Sequence, residues 1–167
     1  MSAARSPLRV GLRMAEPGDL AAIEALQREA YAPNRDILGV EPLPLLADYS
    51  EIMRDHVIWL AETSEEPAPR LAGALVIAPQ DDSLLIWSVA AAPFAQGQGV
   101  GGQLLHLAER IARMSGLVQL TLYTGDKLSQ NIAWYARHGF VETRRETLED
   151  RVIVHMHKAL DIAASAA

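Results

Sequence analysis

Apolar residues recur along this chain in two rhythms, and their succession predicts its architecture. Val10–Met14 alternates as a short strand. From Pro17-Gly18-Asp19 the period lengthens, and Leu20, Ile23, Leu26, Gln27 and Ala30 fall at roughly helical spacing until Ala32-Pro33. Asn34 to Pro44 holds Gly39, Pro42 and Pro44 and reads as loop, and Leu45–Arg54 reads as a second short helix. Three strand-like runs follow, Val57–Thr63, Leu71–Ala78 and Leu84–Ala90, joined by turns rich in Pro, Asp and Ser, with Gly73 the candidate for a bulge. Leu104, Leu105, Ala108, Ile111 and Ala112 then form one helical stripe, which Gly116 ends. Val118–Tyr123 is a strand, Leu128–His138 a helix stopped by Gly139, and Val141–Leu148 with Arg151–His157 a closing hairpin.

Meander, strand–helix–strand and hairpin together predict an α+β fold. Its sheet is mixed but mostly antiparallel, with one central parallel pair, because a strand–helix–strand unit favours a right-handed parallel crossover. Helices cover both faces. One domain over residues 9–160 is expected, between a flexible N-terminus (1–8) and a flexible tail (161–167).

Composition narrows the class. With 167 residues, half of them hydrophobic, the chain can bury one sizeable core. It has no cysteine, which removes disulfides, thiolate metal sites and cysteine nucleophiles. A net charge of −6 with scattered basic residues argues against a nucleic-acid surface. No apolar run reaches membrane-span length, and MSAARSPLRV lacks the apolar core of a signal peptide, so a cytoplasmic protein without membrane contact is expected.

The chemistry concentrates at Gln96-Gly97-Gln98-Gly99-Val100-Gly101-Gly102, between the third strand of the meander and the long helix. Glycine removes the Cβ atoms that keep an anion off the backbone and reaches positive φ cheaply. The first turn of a helix adds N–H groups without internal partners, at the positive end of the dipole. Strand, glycine loop and helix therefore make a socket for a pyrophosphate that needs no lysine. Gly97-x-Gly99-x-x-Gly102 also satisfies a dinucleotide fingerprint. However, Pro93 to Gln96 separate it from the strand, no acid ends the next strand, and a meander precedes it. The Walker pattern is absent.

Gln96-x-x-Gly99-x-Gly101, after Pro93 and before an amphipathic helix, resembles motif A of the GNAT N-acetyltransferases. Asn131-Ile132-Ala133-Trp134-Tyr135-Ala136-Arg137-His138-Gly139-Phe140 resembles that family's second signature, a tyrosine four residues before Gly-Phe. The resemblance implies an acetyl-CoA enzyme whose central parallel strands splay apart. It places the pyrophosphate on Gln96, Gly97, Gln98, Gly99, Val100, Gly101 and Gly102. Ser88 to Ala91 corresponds to the family's fourth strand, where Val89 and Ala91, flanking Ala90, pair with the pantetheine arm. Asn131 falls beside the cofactor and Tyr135 near its sulfur. The implied acceptor is a primary amine of a small molecule or peptide, and because dimers are common in the family a homodimer is among the implied partners.

Three chemical demands follow for such a transfer. A backbone N–H near Val89 or Ala91 would stabilise the developing oxyanion. The amine must be neutral, and a lysine-like amine is so in only about one molecule in two thousand at pH 7. The departing thiolate needs a proton, for which Tyr135 is the candidate donor. The general base has no candidate by resemblance, because Trp87 stands near the position where many relatives carry glutamate. Glu62, Asp48, Asp81, Asp82 or a water reached through Ser88 stay open, each also readable as a solvated group. Asp36, Glu41 and Asp48, in the Tyr31 to Tyr49 region expected to form the acceptor side, suit a cationic amine. His155 and His157 share a strand face without a third ligand and read as structural or exposed. Two rivals remain: an acyl-CoA-binding sensor of the same fold without turnover, and a dinucleotide-binding oxidoreductase.

Overall fold

The computed structural model describes residues 6–161. Its seven strands are β1 (Gly11–Met14), β2 (Val57–Glu62), β3 (Leu71–Pro79), β4 (Ser83–Ala91), β5 (Gln119–Gly125), β6 (Val141–Thr147) and β7 (Val152–Ala159). They form one sheet in the order β1-β2-β3-β4-β5-β7-β6. Only β4 and β5 run parallel; every other neighbouring pair is antiparallel. A doubly wound dinucleotide-binding sheet needs a series of parallel strands, so the oxidoreductase rival does not fit this fold.

Among the described residues six α-helices accompany the sheet: α1 (Leu20–Tyr31), α2 (Asn34–Leu38), α3 (Leu43–Leu46), α4 (Tyr49–Asp55), α5 (Val100–Met114) and α6 (Ser129–Arg137). Gly73 faces α5, since a Cβ there would lie 2.9 Å from Val100 Cγ1 and 3.1 Å from Leu104 Cδ1. Ser88, paired with Val76, faces α1 through Gln27. Positions 73 and 76 lie on opposite faces of the strand, so α1 and α5 enclose the sheet between them. The core between these layers is aliphatic, with Leu60, Leu75, Leu84, Leu104 and Leu120 almost fully buried.

Two irregularities shape the functional end. Pairing jumps from Val76↔Ser88 to Ile77↔Ile86, which makes Trp87 the extra residue of a bulge in β4. A second jump lies between Ala61 and Glu62, opposite Gly73 and Leu71, beside the glycine expected to mark a bulge. Beyond its bulge, β4 loses its other neighbour. The parallel ladder consists of Ser83↔Gln119, Leu84↔Leu120 and Leu85↔Thr121 alone, although β4 runs on to Ala91 and β5 to Gly125. The two strands thus splay into a notch.

The segment read as loop, Asn34–Pro44, contains α2 and the start of α3, and the helix expected over Leu45–Arg54 is broken into the end of α3 and α4, which begins at Tyr49. Proline at the start of a short helix is compatible with it, because the first N–H groups lack partners anyway. Asp48 caps α4 by accepting from Ser50 N at 2.9 Å. Within the N-terminal segment expected to be flexible, Leu8 is held: its N–H donates to Gln98 O (2.8 Å) and its carbonyl accepts from Gln103 Nε2 (2.8 Å). Residues 162–167 of the expected tail lie outside the described residues. Among the described residues no helix is long and apolar enough to cross a membrane.

Candidate active site

The turn after β4 owes its shape to two glycines. Gly97 (φ +73°) and Gly99 (φ +84°) occupy the left-handed region, so the chain doubles back and enters α5 without a side-chain cap. Among the described residues the amides of Gly97, Gly99, Val100, Gly101 and Gly102 donate to no backbone carbonyl, the first return bond of α5 being Gln103 N to Gly99 O at 3.1 Å. Gly101 has a different reason: a Cβ there would meet the Trp134 ring at 2.9 Å. Backbone and ring are packed too closely for any side chain.

These amides open onto a groove of about 400 Å³ that runs along β4. Every residue expected to contact the cofactor lines it except Gln98. Gln98 turns away, with its side chain donating to Phe94 O at 2.6 Å. Along β4, Ala92 N donates to Ala72 O of the neighbouring strand, and by alternation the N–H and C=O of Val89 and Ala91 point into the notch. Their carbonyls accept from side chains, Val89 O from the Tyr31 hydroxyl (3.2 Å) and Ala91 O from Gln96 Nε2 (3.2 Å). Their N–H groups face the space where a further strand would lie.

The groove leads into a smaller, mainly apolar cavity of about 100 Å³. Tyr31, Asn34, Val89 and Asn131 line both spaces. Tyr135 lines the inner one, its ring packed against Trp134 (5.1 Å between centroids) and Phe140 (5.8 Å). Among the described residues its hydroxyl makes no hydrogen bond, and burial pushes its pKa well above that of an ordinary phenol. Tyr135 therefore carries a proton throughout the neutral range.

Tyr31 is a site residue that the motifs did not single out. Its hydroxyl lies 2.8 Å from Ser88 Oγ, and burial pushes its pKa up to about 12. Gln27, fully buried, closes the network on Ser88 at 3.3 Å. The available signal was a polar residue, Gln27, inside an apolar helical stripe, with Tyr31 one turn further on.

None of the carboxylates considered as a base lines either space. Glu62 pairs with Arg13 (2.6 Å), Asp48 caps α4, and Asp81 and Asp82 sit in the turn before β4. Nor does the acceptor side carry the expected acidity. Asp36 is exposed outside the lining and Glu41 is bound by Arg35 at 2.7 Å, so the charged residue that does enter the inner cavity is Arg151. Trp87, carried by the bulge, forms part of the wall and packs at 6.0 Å against Tyr49 and His56. His155 and His157 lie elsewhere, bonded to Glu146 (2.8 Å) and Gln119 (3.0 Å), and no cluster of metal-ligating residues occurs among the described residues.

A GCN5-related N-acetyltransferase from Rhodopseudomonas palustris matches the fold with a TM-score of 0.77 at 19% identity, over 95% of this chain and 100% of that one. The ribosomal-protein-S18-alanine N-acetyltransferase of Escherichia coli matches at 0.72 and 18%, over 92% and 95%. The PaiA N-acetyltransferase of Thermoplasma acidophilum, in complex with coenzyme A, matches at 0.72 and 19%, over 92% and 100%. No curated protein matches the sequence. The sequence model of the acetyltransferase (GNAT) family matches residues 20–140, a span that holds the glycine loop, the notch and the Tyr135–Phe140 segment; the protein belongs to that family.

Proposed function

We propose that the protein moves an acetyl group from acetyl-CoA to a primary amine of a small molecule or peptide by direct attack on the thioester. The observation that carries this reading is the junction of two spaces at Tyr31, Asn34, Val89 and Asn131, one lined by free amides and the other by Tyr135. The unpaired amides between Gly97 and Gly102 suit a diphosphate. The notch suits an extended amide-bearing arm beside Val89 and Ala91. A thiol delivered along that path would arrive next to the inner cavity.

Acetyl-CoA supplies the activated acetyl group; the chain's own residues do the rest. The N–H of Val89 or Ala91 stabilises charge growing on the carbonyl oxygen. As the amine nitrogen bonds to the carbonyl carbon and the carbon–sulfur bond breaks, Tyr135 gives its proton to the departing sulfur. Solvent takes the proton lost by nitrogen, since no lining carboxylate or imidazole is present among the described residues. The same lack of a base favours the second reading, an acyl-CoA-binding module without turnover.

Calorimetry with acetyl-CoA and free CoA, followed by thiol release across an amine panel, tests both. Binding with amine-dependent thiol release is expected. Binding without it would leave the sensor, and no heat at millimolar cofactor would end both readings.

A further inference from the structure

We propose that Arg151 sets acceptor specificity by receiving an anionic group, so that the amine acetylated here carries a carboxylate on a compact apolar body. This rests on the acetyl-transfer reading. Among the described residues Arg151 is the only charged residue lining the inner cavity, whose other walls include Leu38, Pro42, Ile86 and Trp87. Its side chain is only 8% exposed, whereas that of its ion-pair partner Asp150 is 52% exposed. The carboxylate of the pair thus faces water, and the guanidinium reaches the cavity.

The guanidinium keeps donors in reserve. Nε and Nη2 donate to the Asp150 carboxylate, both at 2.9 Å, and Nη1 donates to Glu41 O at 2.8 Å. A guanidinium has five N–H groups, so one remains on each terminal nitrogen. Donors held in one rigid plane suit the oxygens of a carboxylate. The bond to Glu41 O also fixes the plane, tying Arg151 to the segment before α3, whose Pro42 lines the same cavity.

Charge points the same way. Among the described residues no carboxylate lines the cavity itself, so an acceptor with a second ammonium would find a guanidinium and no anion on the wall.

Matched ligands test the proposal. On the wild-type protein, phenylacetate should bind at least about tenfold more tightly than phenethylamine by calorimetry, the order expected for a charge-assisted paired contact. In thiol-release assays with acetyl-CoA, 4-(aminomethyl)benzoate should exceed benzylamine at least about tenfold in kcat/KM, mainly through KM. Arg151→Met should erase both preferences and Arg151→Lys should restore part of them. Equal or better binding of phenethylamine by wild type overturns the anion site, and it does so without any variant that has to fold. Arg151-dependent phenylacetate binding with no turnover of any amine would sink the transferase reading and leave the anion site standing. Turnover that favours benzylamine would do the opposite.

Discussion

Tyr135→Phe takes one oxygen from the inner cavity and leaves the ring in place. The ring's neighbours, Trp134 and Phe140, are unaffected. The lost hydroxyl has no hydrogen-bond partner among the described residues, so no internal bond breaks and folding stability should change by no more than about 0.5–1 kcal/mol. A positioned acid typically contributes about 10²–10⁴ in rate, or about 3–5 kcal/mol of barrier. The expected result is a fall in kcat of about a hundredfold or more, with the denaturant midpoint and acetyl-CoA affinity nearly unchanged. Burial raises the pKa of Tyr135, so the acid form should also persist as pH rises, and wild-type kcat should show no decline below about pH 9–10. Initial rates of thiol release at saturating acetyl-CoA, on both proteins across that range, measure this directly. A variant that turns over like wild type would show that the sulfur takes its proton from elsewhere.

Gly97→Ala meets no atom within 4 Å, so its cost is the left-handed backbone alone, about 1–2 kcal/mol in urea unfolding, with weaker acetyl-CoA binding as the loop relaxes. Gly73→Ala is blocked on both sides, by Ala90 O at 2.8 Å and Val100 Cγ1 at 2.9 Å. It should lower stability by about 1–3 kcal/mol, which a shifted unfolding midpoint would register. The Asp19 carboxylate is held at about 2 by its bonds to Arg13, below its ordinary 3.8. A depressed carboxylate pKa stabilises the fold above the unfolded value, and that contribution fades as pH falls from 3.8 towards 2. Asp19→Asn should therefore be less stable than wild type at neutral pH, with the gap closing by about pH 2; a gap independent of pH would refute the coupling.

Much of the site was legible because it consists of backbone. Gly97, Gly99 and Gly101 announce amides that no side chain covers, and the apolar runs of β2, β3 and β4 can be read without knowing their partners. The acceptor side was not legible. α2 and α3 have five and four residues, too few for a helical period to emerge between prolines. The acidity expected there does not face the site: Glu41 binds Arg35, Asp48 caps α4 and Asp36 is exposed. Arg151 carries no local signal at all. It stands just before β7, 110 positions from Glu41, whose carbonyl fixes its plane, so its place at the cavity follows from the β5–β7 register.

Leu8 bears on how the protein can be handled. It is bonded to Gln98 and to Gln103, and Pro7 lies 3.0 Å from where a side chain on Gly99 would begin. An affinity handle fused ahead of Pro7 would pull on the segment that bonds the glycine turn and the first turn of α5. The other end is safer ground, because Leu160 N is tied to Val118 O where β5 begins, at the opposite margin of the sheet from the notch.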